Sequence, residues 1–169
     1  MKTLVIGFKT GIGKAIFKLV GNDGISKSTG FDIDKNSTYN FNKYDCIVLN
    51  AYSNFTSQLK TMINILEYID KNKLLIVVSS TSAKKTNPDN FYWLKYYVEK
   101  NAINLTAQHA ISMGYNVSII SPATVDTYRN ENKKISKLSP KDIATSVKYI
   151  ISQFKKNILI DFLEVRTKK

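Results

Sequence analysis

The sequence predicts an α/β domain in which a parallel sheet is covered by helices on both faces. Three observations carry that prediction. Runs that are apolar at every position, such as Cys46-Ile47-Val48-Leu49, fit strands buried on two sides. Between such runs, apolar residues recur at helical spacing. The two patterns alternate along the chain, with no internal repeat and no low-complexity linker.

Thr3-Leu4-Val5-Ile6 reads as the first strand, ending at Gly7. Ile12, Ala15, Ile16, Leu19 and Val20 then mark a helix. The stretch 24–34 is a poor strand by composition, yet one is expected there because the crossover helix must return the chain to the sheet. Residues 46–49 form the next strand, and Leu59, Met62, Ile63, Leu66 and Ile69 the next helix. Residues 74–78 are a strand, 92–112 a long helix and 117–120 a strand. Ser139-Pro140-Lys141-Asp142 combines an N-cap, a proline at the first helical position and an acid in the first turn. Its helix carries Ile143, Val147, Ile150, Ile151 and Phe154 on one side, and 158–165 is the last strand.

At 169 residues the chain suits one domain, 1–169, able to bury a core without staples. One cysteine, Cys46, excludes an internal disulfide framework. With a single histidine, His109, no metal centre is expected. No apolar run is long enough to span a membrane, and the first strand leaves no room for a signal peptide, so a cytoplasmic protein is expected. The net charge of +12 invites a nucleic-acid reading, but almost all of it is lysine, with only Arg129 and Arg166 to supply bidentate forks. A diffuse solvated lysine surface accounts for it, and a nucleic-acid partner is not expected.

Several motifs bear chemistry. The turn Gly7-Phe8-Lys9-Thr10-Gly11-Ile12-Gly13 joins the first strand to the first helix. Glycines there admit a sharp turn and close approach of a pyrophosphate, and the helix N-terminus offers unpaired N–H groups. An ordinary tight turn is the plainer reading. A Walker-type loop is excluded because Lys14 is followed by Ala15 and Phe8 occupies a required glycine. Asp32, or else Asp34, lies at the distance where a carboxylate accepts adenosine ribose hydroxyls; a solvated loop acid is the alternative. Asn50-Ala51-Tyr52 follows the carboxyl end of a central strand, where open α/β sheets bind ligands.

Ser79-Ser80-Thr81 ends the next strand, and Tyr96 and Lys100, four apart, share one helical face. An ammonium beside a phenol lowers a pKa that is ordinarily about 10 and fits the phenol for proton transfer near neutrality. A Tyr-x-x-x-Lys pair in a Tyr- and Lys-rich stretch also arises by chance. Ser121-Pro122-Ala123-Thr124-Val125-Asp126-Thr127 follows the fourth long strand, where its backbone and hydroxyls suit a flat polar ring such as a carboxamide.

In this order, the set resembles the short-chain dehydrogenase/reductase family over nearly the whole chain. Gly7, Gly11 and Gly13 match the family's glycine loop, with Ile6 where a threonine leads it. Asn50-Ala51 match its Asn-Ala-Gly, with Tyr52 in place of the glycine. Ser80, Tyr96 and Lys100 match its catalytic serine, tyrosine and lysine, and Asn54 is similar to its catalytic asparagine. The run from Asn104 to Thr127 matches its helix, strand and Pro-Gly-x-Val-x-Thr segment, with Ala123 for the glycine.

The resemblance implies a Rossmann-like doubly wound sheet in three layers, with shortened elements. It implies NAD(P)-dependent hydride transfer between nicotinamide and a carbonyl or alcohol substrate. Tyr96 is the proton donor or acceptor, Lys100 tunes it and binds the nicotinamide ribose, Ser80 polarises the substrate oxygen, and Asn54 holds a relay water. Gly7, Lys9, Thr10, Gly11, Ile12 and Gly13 with Asn50 and Ala51 hold the cofactor, while Pro122, Val125 and Thr127 orient its carboxamide. Asp32 favours NAD over NADP; Lys9 and Lys35 pull the other way. A homodimer or homotetramer through the long second and third helices is also implied.

The chain departs from the family in lacking a strand and helix between Asp34 and Tyr44, material between Ala51 and Asn54, and a long segment after Thr127. The Ser80–Tyr96 spacing is longer than usual, leaving Ser79 and Ser82 as alternatives to Ser80. A non-catalytic dinucleotide-binding relative is the second functional reading. Residues 128–134 read as a solvated loop or a lid over the site, His109 as a surface or packing residue, and Cys46 as core. Trp93 lies beside the site, where it lines either the pocket or an oligomer contact.

Overall fold

The computed structural model describes residues 1–35, 39–127 and 136–168. Its six strands are β1 (Thr3–Ile6), β2 (Asp23–Ile25), β3 (Cys46–Leu49), β4 (Leu74–Val78), β5 (Asn116–Pro122) and β6 (Phe162–Val165). Four helices connect them: α1 (Gly11–Val20), α2 (Ser57–Tyr68), α3 (Phe91–Ser112) and α4 (Pro140–Phe154). All pairings are parallel, in the order β2-β1-β3-β4-β5-β6.

The layers follow from the alternation of side chains along each strand. Leu4, Ile6, Ile47, Leu49, Leu75 and Val77 face one way and pack with Met62 and Ile65 of α2 and Ile103, Ala107 and Ala110 of α3. Val5, Cys46, Val48, Leu74, Ile76 and Ile120 face the other way and meet Ile16 of α1 and Ile143, Val147 and Ile150 of α4. The result is the expected three-layer α/β/α arrangement. The order reverses between β1 and β3, since the chain runs outward from β1 to β2 and then crosses back. The carboxyl ends of β1 and β3 therefore border a crevice.

The expected return strand after α1 exists but is only three residues long, Asp23–Ile25, and is followed by a 3-10 turn at Lys27–Thr29. It reads poorly because only Ile25 is buried and its backbone register with β1 holds it in the sheet. The missing third strand is replaced, among the described residues, by an aromatic plug. Phe31, Phe41 and Tyr44 are buried against the α2 side, and the Tyr39 and Tyr44 hydroxyls lie 3.0 Å apart.

The α4 start is capped as its sequence requires. The Asp142 backbone N–H donates to Ser139 Oγ at 3.2 Å, and the Ser139 N–H to Asp142 Oδ2 at 2.7 Å. The last strand starts later than its apolar run. Asn157, at φ 62°, turns the chain out of α4, and Ile158 beyond it is half exposed. No helix among the described residues is long and apolar enough to cross a membrane.

Candidate active site

The glycine turn is built by close backbone approach. Gly7 adopts φ +85°, and a Cβ there would come within 2.9 Å of the Ala51 backbone beyond β3. A Cβ on Gly13 would sit 1.9 Å from the Gly7 carbonyl oxygen, so α1 rises directly off the turn. Asn50 Nδ2 donates to that same carbonyl at 3.2 Å, and the N–H groups of Asn50 and Ala51 donate to Ile6 O. At the start of α1 the Thr10 side chain makes no cap and the first turn holds no acid. Its N–H groups and dipole are thereby left to an anion.

Two adjoining clefts open over this crevice. The first, about 660 Å³, is lined by Gly7, Lys9, Thr10, Gly11 and Ile12 of the turn, by Ser26, Lys27 and Asp32 after β2, and by Asn50 and Ala51. The second, about 550 Å³, lies over the ends of β4 and β5 and is lined by Ser80, Tyr96 and Lys100, with Pro122 and Val125. Ile12, Asn50, Tyr52 and Thr127 line both and mark the junction. Gly13 packs behind the turn rather than lining it.

Asp32 sits at the outer end of the first cleft. Its carboxylate accepts the Asp34 N–H at 3.1 Å and pairs with Lys27 at 3.3 Å. The Asp34 backbone bond first, and Lys27 second, hold its carboxyl below the usual range. Asp34 is turned instead to Ser53, whose hydroxyl donates to it at 2.7 Å.

In the second cleft the Lys100 ammonium lies 5.3 Å from the Tyr96 ring centroid and 4.8 Å from that of Tyr52. The two rings meet edge to face at 5.3 Å. Three serines near the end of β4 are candidates for the polarising hydroxyl. Ser79 is buried and donates to Asn104 of α3 at 3.0 Å. Ser80 faces the cleft and accepts the Ser82 N–H at 3.1 Å, capping a 3-10 turn at Thr81–Lys84. Ser82 also lines the cleft. Trp93 forms its outer wall with Tyr97, Lys85 and Asp89.

Asn54 is not brought to this cluster. It is exposed in the loop before α2, lines neither cleft, and offers its backbone carbonyl to Ser57. Gln58, the second residue of α2, reaches Lys100 instead. Gln58 is fully buried and accepts a hydrogen bond from Lys100 Nζ, while its Nε2 donates to Leu49 O at 3.3 Å and Val78 O at 3.0 Å. Its signal in the sequence was a polar residue at helical spacing from Met62, Ile65 and Ile69. Ile63, assigned to that stripe, is 43% exposed, so the buried face of α2 is rotated toward Gln58 and Thr61.

Glu99 was also missed. It is 1% exposed, and its carboxylate accepts the N–H groups of Thr56 at 2.8 Å, Gln58 at 3.0 Å and Leu59 at 3.3 Å. A carboxylate from α3 thus caps the N-terminus of α2, where Thr56 at φ 70° makes no cap of its own.

Beyond Thr127, a bridge between Val125 and Leu138 and an ion pair from Lys137 to Asp126 at 3.3 Å anchor the chain. The segment 128–134 read as loop or lid lies outside the described residues.

Strand order, glycine turn and switch-point crevice define a doubly wound Rossmann-like domain. More narrowly, the fold is that of the short-chain dehydrogenases/reductases. The alcohol dehydrogenase of the archaeon Thermococcus sibiricus, solved with 5-hydroxy-NADP, matches with a TM-score of 0.74 at 17% identity, over 99% of this chain and 98% of that one. A short-chain dehydrogenase/reductase family protein matches at 0.79 and 14% identity, over 98% and 95%. A 7α-hydroxysteroid dehydrogenase solved with NADH and 7-oxo glycochenodeoxycholic acid matches at 0.69 and 14% identity, over 96% and 91%. No family model and no curated protein matches the sequence.

Proposed function

We propose that the chain is an NAD(P)-dependent oxidoreductase of the short-chain dehydrogenase/reductase type, acting on a small carbonyl or alcohol compound. The observation that carries this reading is the placement of Tyr96 and Lys100, 5.3 Å apart from ring centroid to ammonium, in a cleft continuous with the glycine turn. A dinucleotide fits the residues present. The uncapped start of α1 and the close-packed Gly7–Gly13 turn suit a pyrophosphate. The clefts on either side suit its two nucleoside halves, with the nicotinamide side at Tyr96.

When bound, the nicotinamide supplies or accepts the hydride. Tyr96 gives its phenolic proton to the substrate oxygen, or removes it in reverse. Lys100 stabilises the phenolate and binds the nicotinamide ribose. Ser80 donates a hydrogen bond to the substrate oxygen, where charge develops. Pro122, Val125 and Thr127 orient the carboxamide. At the far end Asp32 accepts the adenosine ribose hydroxyls and repels a 2′-phosphate, which favours NAD slightly over NADP, against the pull of Lys9 and Lys35. Lys27, paired with Asp32 at 3.3 Å, also works against that preference.

A homodimer or homotetramer is part of this reading. Phe91, Val98 and Leu105 of α3 and Ile63 of α2 expose apolar surface, and sedimentation velocity tests the pairing.

Turnover of a broad carbonyl and alcohol panel with NADH and NADPH tests the chemistry. Activity that disappears in Tyr96→Phe, with dinucleotide affinity kept, is the expected result. Saturable binding with no turnover on any compound would favour the non-catalytic relative, a reading motivated by the shortened segments after Ala51 and Thr127. Salt-sensitive binding of DNA or RNA in its place would favour the nucleic-acid reading.

A further inference from the structure

Lys100 is more elaborately held than a ribose-binding lysine requires. The residue is only 2% exposed, so its ammonium has lost most of its water and needs other partners. One is the Gln58 side-chain oxygen. The amide can point only this way, because its Nε2 faces two carbonyl oxygens, Leu49 O and Val78 O. Gln58 therefore ties the ammonium to the carboxyl ends of β3 and β4. On another side lies the Tyr52 ring, 4.8 Å from Nζ and nearer than the Tyr96 ring. An aromatic face attracts a desolvated cation. The carboxylate nearest in sequence, Glu99, is bound by the α2 backbone N–H groups. On the outer side Lys85 lies 5.7 Å from the Tyr97 ring, and Tyr97 packs beside Tyr96 at 6.4 Å.

We propose that Tyr52 is a positioning residue, whose ring and the Gln58 amide together clasp the Lys100 ammonium against Tyr96. The proposal rests on the reading of Tyr96 and Lys100 as the proton-transfer pair and goes beyond it. It gives a task to the tyrosine that stands where the family resemblance calls for glycine. A glycine there offers no aromatic face, whereas Tyr52 supplies one and contacts Tyr96 edge to face at 5.3 Å. Because Tyr52 also lines both clefts, the clasp stands where they meet.

The test uses NMR and requires neither cofactor nor turnover. Protein labelled at tyrosine Cζ is titrated, with Tyr96 assigned by Tyr96→Phe. Loss of the ring in Tyr52→Leu is expected to raise the Tyr96 midpoint by about half a unit or more, because the ammonium is less firmly held and less favoured as a cation. Tyr52→Phe, which keeps the ring, is expected to return the midpoint to its wild-type position. Gln58→Leu is expected to raise it as well. In the wild-type protein the Lys100 ε-protons are expected to show nuclear Overhauser contacts to both the Tyr52 and Tyr96 rings. This last measurement needs no variant and stands even if Tyr52→Leu fails to fold. A Tyr96 midpoint unmoved in folded Tyr52→Leu, or no contact from Lys100 to the Tyr52 ring, would overturn the proposal. Failure of the wild type to bind NADH or NADPH would remove the oxidoreductase reading alone, since these resonances report the clasp directly.

Discussion

Replacing Glu99 tests how the site is braced. Its carboxylate takes three backbone N–H groups at the start of α2, at 2.8, 3.0 and 3.3 Å, in a place that is 1% exposed. Glu99→Ala leaves those donors, that of Gln58 buried and those of Thr56 and Leu59 half-buried, without the acceptor. A buried unsatisfied donor costs about 1–3 kcal/mol. The longest of the three bonds contributes least and the costs are not additive, so about 4 kcal/mol is expected. Glu99→Gln keeps one carbonyl acceptor but turns an N–H₂ toward a donor and removes the negative charge that complements the positive end of the helix dipole, so about 2 kcal/mol is expected. Urea unfolding reads both losses from the midpoint at unchanged m-value. In a chain of this size the Tm should fall by roughly 2–4 °C for each kcal/mol. Glu164→Gln at the surface of β6 is the control and should cost under about 1 kcal/mol. A Glu99→Ala protein within about 0.5 kcal/mol of wild type would refute the reasoning, because that is the range of an uncoupled surface change.

Other consequences are equally specific. Gly13→Ala should weaken dinucleotide binding at least tenfold and lower the Tm, since its methyl meets the Gly7 carbonyl at 1.9 Å; calorimetric titration beside a thermal melt checks both. Asp32→Asn should move the ratio of NADPH to NADH affinity upward about tenfold by removing the charge that repels a 2′-phosphate, and an unchanged ratio would detach Asp32 from cofactor choice. Burial pushes the Cys46 thiol and the Tyr44 phenol above their ordinary values. The folded chain thus holds these protons more tightly than the unfolded chain. Stability should decline as pH rises past about 9, where the unfolded groups begin to ionise, and urea midpoints at pH 7 and pH 10 measure the decline. The Cys46 thiol should resist alkylation until the protein unfolds.

The parts of the fold that were legible are those whose signal is local. β3 and β4 throughout, and β1 beyond Thr3, are apolar because helices cover both faces, and the α4 cap is written in Ser139 and Asp142. β2 was expected from topology alone, since the crossover helix must return to the sheet; its residues announce it poorly, because an edge strand of three residues is held by backbone bonds that leave little trace in side chains. The glycine turn, Asp32, Ser80, Tyr96 and Lys100, singled out by type and order, all line the two clefts. The place of Gln58 beside Lys100 leaves no mark in the sequence, because it depends on where α2 begins, and the Glu99 carboxylate from a helix some forty residues on caps that start. The contact of Tyr52 with Lys100 likewise joins a loop to a distant helix, and no spacing announces it.

The most direct test of the central claim is a titration of the folded protein with NADH and with NADPH, followed by nicotinamide fluorescence and thermal shift. Saturable binding, tighter for NADH, with a rise in Tm that tracks occupancy, is the expected result. No binding of either dinucleotide would contradict the claim that this cleft serves a nicotinamide cofactor.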